Sequence, residues 1–184
     1  MNHPKGFYLV EQLDARVTPA IVASEHAEAP ARLRVVMEAM HPDVVNKNFR
    51  LYPEAEVRKS LRSWVQPYPR PVLAQHDLRW GLPLGRVVRA KMAPSQVRPE
   101  SKALLLEAEL SDPKAIEYVQ DKRFLTVSVG SIVQSATCSI CGKNIVNDGL
   151  CEHEPGKKYK GKLAYWTLGE IEWLEVRVVN APAD

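Results

Sequence analysis

Apolar and polar residues alternate along much of this chain in short stretches, the period-two pattern of half-buried β-strands. Phe7–Val10 is the first such stretch, whereas Thr18-Pro19 and Glu28-Ala29-Pro30 read as loop. Arg32–Met40 predicts a strand, and an irregular Asn46-Lys47-Asn48 segment follows it. Pro53 suits the first turn of a helix, where it has no N–H to lose. That helix runs to about Trp64, buries Val57, Leu61 and Trp64 at spacings of three and four, and is stopped by Pro67, Pro69 and Pro71. Strands are expected over Pro71–Asp77, Gly85–Met92 and Ala103–Leu110. Ser111-Asp112-Pro113 then opens a second helix carrying Ala115, Ile116, Tyr118 and Val119, with Ser111 or Asp112 as its cap. Phe124–Val133 reads as a strand, a cysteine-bearing segment from Cys138 to about Tyr159 breaks the pattern, and Leu163–Val179 returns to it. Many short strands with two helices, and no internal repeat, predict a mostly β, α+β domain of barrel type.

Composition narrows the class. The 184 residues suit one domain with room for a small insert, and 45% hydrophobic against 26% charged residues is ordinary for a globular chain with a real core. That excludes a disordered tail, a collagen-like rod and a disulfide miniprotein. Residues 1–30 are weakly patterned and read as an N-terminal arm, with the ordered domain over 31–184. A formal net charge of +3 is too small to argue for a dedicated nucleic-acid binder. No apolar run reaches the ~18–20 residues of a membrane span, and Met1–Val10 lacks a signal-type hydrophobic segment, so a soluble protein made in a cytoplasm is expected.

All three cysteines fall between Cys138 and Cys151, and three thiols cannot all pair within one chain. Cys138-x2-Cys141-x9-Cys151-x-His153 offers three thiolates and an imidazole, a complete tetrahedral set for zinc. Gly142 follows the second cysteine, where a tight knuckle needs a positive φ. Four protein ligands leave no open position, so the metal is expected to be structural, holding an insert of about residues 137–160 that is too short to build a core of its own. Three free cysteines in a loop and a redox Cys-x-x-Cys are the alternatives. Lys143, Lys157, Lys158, Lys160 and Lys162 surround the cluster, as a solvated basic face or as contacts for phosphate or an acidic partner.

In Phe124–Val133, Leu125, Val127 and Val129 point one way while Thr126, Ser128 and Gly130 point the other. Ser128 therefore lies on the polar face of a strand, beside a glycine that lets another backbone approach. Ser131 has the opposite parity unless a bulge at Gly130 reverses it. Among the five histidines, His3, His26 and His41 lie in apparent loops or the N-terminal region, His153 belongs to the cysteine cluster, and His76 ends an apolar segment. Parity in the last strand sets Glu175 with Trp173 and Arg177, opposite Leu174, Val176 and Val178. Each residue also has a plain structural reading: a β-surface serine, a packed histidine and a Glu175–Arg177 surface pair.

Taken together, four stretches resemble the prohead (capsid maturation) proteases of tailed bacteriophages over about Arg32–Asp184. They are Asn46–Pro53, Pro71–Asp77 followed by Gly85-Arg86-Val87, Ser128-Val129-Gly130, and Leu174–Ala183. Ser128-Val129-Gly130 also looks like the nucleophile strand of the herpesvirus assemblin proteases, whose fold the phage group shares. The resemblance implies a closed β-barrel of herpesvirus-protease type with flanking helices, and a serine endopeptidase that trims scaffolding and major capsid proteins, and itself, inside the procapsid in the host cytoplasm. It puts the nucleophile on Ser128, the base on His76 and an acidic third member on Glu175. Arg177 stands where the phage stretch usually has serine. The herpesvirus relatives use a second histidine as third member, and here only His153 follows the serine. Some phage relatives carry a similar cysteine cluster between the nucleophile strand and the final strand. A homo-oligomer is implied by the same analogy, and no membrane or nucleic-acid partner is expected. A non-enzymatic zinc-knuckle module that binds nucleic acid or packs within a phage assembly is the competing reading. It accounts for the cysteines and lysines but not for the joint spacing of His76, Ser128 and Glu175.

Overall fold

The computed structural model describes residues 7–13, 17–20, 31–74 and 82–179. In chain order the strands and helices are β1 (Phe7–Leu13), β2 (Val17–Ala20), β3 (Leu33–Met40), β4 (Arg50–Leu51), α1 (Glu54–Ser60) running into a 3-10 turn over Leu61–Trp64, β5 (Pro71–Ala74), β6 (Gly85–Pro94) and β7 (Lys102–Leu110). After these come α2 (Pro113–Gln120), β8 (Thr126–Cys138), the single-turn α3 (Ile145–Asp148), β9 (Lys158–Tyr159), β10 (Lys162–Leu163) and β11 (Trp166–Val179). Among the described residues the expected elements are present, residues 75–77 of the strand expected over Pro71–Asp77 lying outside them, and two readings differ, near the N-terminus and at Pro53. Thr18-Pro19, read as loop, lies in β2, which pairs with β3. Pro53 caps α1 from an extended conformation (φ −60°, ψ 136°) instead of opening its first turn.

One sheet carries the molecule, in the order β1-β8-β11-β5-β6-β7-β3-β2, with β4 also on β11. The barrel expected from the sequence is therefore only partly formed: among the described residues the sheet is curled but open, because nothing pairs β1 at one end with β2 at the other. The seam at β5 is narrow, four residues long and tied to β6 only through Pro71–Arg86 and Val72–Gly85. Closure into a barrel needs a consistent strand stagger around the whole sheet. Among the described residues no helix is long and apolar enough to cross a membrane.

Leu33, Val35 and Met37 of β3, Leu104, Leu106 and Ala108 of β7, and Val127, Val129 and Val133 of β8 face one continuous core. This is the period-two side-chain pattern at work. Helix α1 lays Val57, and the turn after it Trp64, against β11. There Trp173 stacks between Trp64 (ring centroids 5.3 Å apart) and Tyr52 (5.8 Å). The Trp173 indole N–H donates to Ser60 Oγ at 2.8 Å and its backbone N–H to Ser63 Oγ at 3.1 Å. Because Ser63 takes that backbone donor, the ladder slips next to it. Trp173 pairs with Ser131 but Glu175 with Gly130, leaving Leu174 as an extra residue, a β-bulge.

Candidate active site and metal centre

The bulge decides what β11 presents. Before it, Ile171 and Trp173 face the core; after it, Val176 and Val178 do. Glu175 and Arg177 consequently turn to the opposite face, which corrects the simple parity that grouped Glu175 with Trp173. On β8 the register shows no such slip. Arg177 is the partner of Ser128 and Glu175 of Gly130, so all four share one face of the sheet. Ser131 faces Trp173 across the pair, on the core side, as the unbroken alternation of β8 requires.

This polar face is not at the surface. Ser128, Glu175 and Arg177 are 0%, 1% and 1% exposed. Arg177 Nε donates to Glu175 Oε2, so the expected surface ion pair is in fact a buried one. The other carboxylate oxygen, Oε1, lies over Gly130. A Cβ built on that glycine would fall on Oε1 and come within 2.9 Å of Cδ and 3.1 Å of Cγ. Only glycine leaves room for the carboxylate to rest on the β8 backbone. Glu175 also borders a cavity of about 330 Å³ with Leu174, Tyr68, Arg70 and Leu73. Arg70 is held by its bonds to the Ser63 carbonyl (2.7 Å) and to Glu172 Oε1 (2.8 Å).

His76, assigned as base by resemblance, lies outside the described residues. The chain enters that segment from Ala74, the last residue of β5. This strand runs parallel to β11, with Leu73 beside Arg177 and Ala74 beside Val178.

At the far end of β8 the four metal-ligand candidates converge. The ligand atoms of Cys138, Cys141, Cys151 and His153 all lie within 4.8 Å of one another, and none of the cysteines is in a disulfide. The first half is a tight knuckle: Cys138 N–H donates to the Lys143 carbonyl and Gly142 N–H to the Cys138 carbonyl, both at 2.9 Å. Gly142 has φ +74°, the conformation its position called for. Asn144 caps α3 by accepting from the Val146 N–H and also accepts from the Ala136 N–H, fastening the knuckle to β8.

Burial raises the Cys138 thiol, but the N–H groups of Cys141 and Ile140 and the Cys151 and Cys141 thiols together outweigh it, and the thiol lies below its usual range. Burial pushes the Cys151 thiol up. His153 packs edge-on against Tyr159, and its Nδ1 is buried with no hydrogen-bond partner. A buried imidazole nitrogen without a partner, among three thiols, is a donor set a tetrahedral metal satisfies. The cluster can therefore hold a metal ion. Lys157, Lys158, Lys160 and Lys162 are exposed around it, and Lys157 pairs with Glu154 at 2.6 Å.

A third polar cluster escaped the sequence. Glu38, His41 and Ser95 are 4%, 8% and 6% exposed. His41 Nε2 lies 2.7 Å from Glu38 Oε1 and 3.0 Å from Ser95 Oγ, and Ser95 Oγ–H donates to Glu38 Oε1. Both contacts use the same ring nitrogen, so the imidazole does not bridge carboxylate to hydroxyl as a catalytic relay does. Ser95 Oγ also accepts the N–H groups of Val97 and Arg98. These bonds make the cluster a latch on the turn between β6 and β7. A carboxylate within the apolar run Val35–Met40 is the sequence signal that could have revealed it.

A curled, mostly β sheet with few helices defines the class of fold. The same fold occurs in a solved viral enzyme, the bacteriophage T4 capsid assembly protease, gp21. The two superimpose with a TM-score of 0.61 at 12% sequence identity, over 96% of this chain and 99% of that one. No family model and no curated protein matches the sequence.

Proposed function

We propose that this chain is a serine endopeptidase of phage procapsid maturation, cleaving scaffolding and major capsid proteins, and itself, inside the procapsid in the host cytoplasm. The observation that carries the reading is the face shared by Ser128 and Glu175 on neighbouring strands, in a fold held in common with a capsid assembly protease. In the proposed mechanism His76 takes the proton of Ser128 Oγ as it attacks the scissile carbonyl and returns it to the leaving amine. Glu175 orients the imidazole and stabilises its charged form. Backbone N–H groups near Gly130 receive the developing oxyanion.

What supports His76 in that role is its place in the sequence, two positions after Ala74, the last residue of β5, which runs beside β11. An extended substrate would set one side chain into the cavity beside Glu175. Zinc is the metal proposed for Cys138, Cys141, Cys151 and His153, where it would fix the knuckle and take no part in the chemistry. The acting species is proposed to be a homo-oligomer.

The experiment is a serine-reactive fluorophosphonate probe on the full chain, read beside cleavage of the cognate scaffold. Labelling at Ser128, and its loss together with cleavage in Ser128→Ala and His76→Ala variants that still fold, is the expected result. Unchanged processing by Ser128→Ala rejects the nucleophile. Salt-sensitive nucleic-acid binding without labelling selects the non-enzymatic knuckle module.

A further inference from the structure

The strand position two residues beyond Glu175 carries a buried cation, and the proposed mechanism gives it no task. A carboxylate taken out of water loses its charge unless a partner compensates it. Here that partner is the guanidinium of Arg177, bonded to Glu175 Oε2 and paired in register with Ser128. The remaining oxygen, Oε1, lies against Gly130, one side of the same four-residue face. Other charged groups near Glu175 among the described residues are Arg70 and Arg86 across the cavity, with the Tyr68 phenol beside them. Arg70 is engaged by Ser63 and Glu172, and Arg86 donates to the Pro69 carbonyl at 3.2 Å. From β8, Gly130 is its register partner, with Ser128 and Ile132 next on the same face and no charged group among them.

We propose that Arg177 is a positioning residue of the Ser128 centre: it keeps Glu175 ionised and fixes the rotation of its carboxylate, with Gly130 as the bare surface on which Oε1 rests. This rests on the protease reading for its consequence, though the clamp itself concerns only Glu175. A planar, permanently charged fork suits the task better than an ammonium. The strand thus brings its own counter-charge to the acid.

The test uses the full chain and its Arg177→Met, Arg177→Lys and Gly130→Ala variants. Two readouts are needed, the 13C carboxyl titration of Glu175, assigned with Glu175→Gln, and the pH profile of fluorophosphonate labelling at Ser128. In Arg177→Met the Glu175 titration should move to higher pH. The acid limb of labelling should move the same way, and labelling at neutral pH should fall about tenfold or more. Arg177→Lys should restore the titration toward the parent while labelling recovers only in part. Gly130→Ala keeps both charged side chains but pushes the Glu175 carboxylate off its seat, and should slow labelling; it serves if Arg177→Met does not fold. Titration and labelling profiles identical to the parent in Arg177→Met, with only the melting temperature lowered, overturn the proposal, as does unchanged labelling in Gly130→Ala. A parent that is never labelled at Ser128, with Glu175 still shifted in Arg177→Met, rejects the protease reading and leaves the clamp standing.

Discussion

Trp173 and Glu175 are two positions apart on one strand, yet they stand on opposite faces of the sheet because Leu174 is an extra residue against β8. Trp173 goes to the core, pinned by Ser60 and Ser63, and Glu175 goes to the face that holds Ser128. The helix covering the core thus sets the geometry of a site on the other side of the sheet. Trp173→Phe keeps an aromatic ring but gives up the 2.8 Å bond to Ser60 and part of the volume. It should cost about 1–3 kcal/mol. Denaturant unfolding measures this, and an unchanged midpoint would show that the pin is not needed.

Ser128→Ala should leave the sheet intact. The hydroxyl is small and enclosed, and losing one hydrogen-bonding group costs about 1 kcal/mol. Scaffold cleavage, in contrast, should be abolished. Glu175→Gln should lose less activity, since it keeps a hydrogen-bonding side chain of the same size but not the charge. Single-turnover cleavage beside thermal melts separates the two effects, and equal activity of Glu175→Gln and the parent would move the third role to another residue.

Most of the strands could be read in advance because their alternation reports burial directly: β3, β7 and the Val127–Val129 segment of β8 fall where the pattern puts them. Gly142 and the four metal ligands could be read too, since metal geometry constrains spacing within a short segment. What the pattern could not carry was anything set by a partner far along the chain. The bulge at Leu174 depends on Ser63, 110 residues away from the Trp173 it binds. Nor is the burial of Arg177 visible in the sequence, where a charged pair at i and i+2 reads as surface. His41 does lie in the loop after β3, but its burial could not be read because its partner Ser95 is 54 positions distant. The open sheet has the same origin, since closure depends on the stagger of eight strands and not on any one of them.

Removing the metal should be a local event. The knuckle has few buried apolar side chains of its own, Ile145 among them, and leans on coordination. Protein purified without chelator should contain about one zinc per chain, and Cys138→Ser should lose it. Hydrogen exchange after chelation should speed up between residues 138 and 165 while the strands β3, β6 and β7 stay protected. Metal-free protein with unchanged exchange in that segment would reject the site.

The latch at Glu38 makes a prediction about acid. Burial raises its carboxyl, but bonds from Ser95, the Gln96 N–H and His41 outweigh it, and the group sits below its ordinary value of 4.5. A carboxylate lowered in the folded state contributes stability above its unfolded value, and that contribution is lost as pH falls through the folded one. Glu38→Gln should therefore destabilise the protein by about 1–3 kcal/mol near neutral pH, because it leaves buried donors facing an amide. The difference from the parent should shrink as pH falls below the ordinary value of 4.5 and through the lower folded-state value, where the parent's own carboxylate takes up its proton. Urea melts of both proteins across that range provide the check. A gap that stays constant down to the most acidic folded condition would mean that Glu38 acts by shape and not by charge.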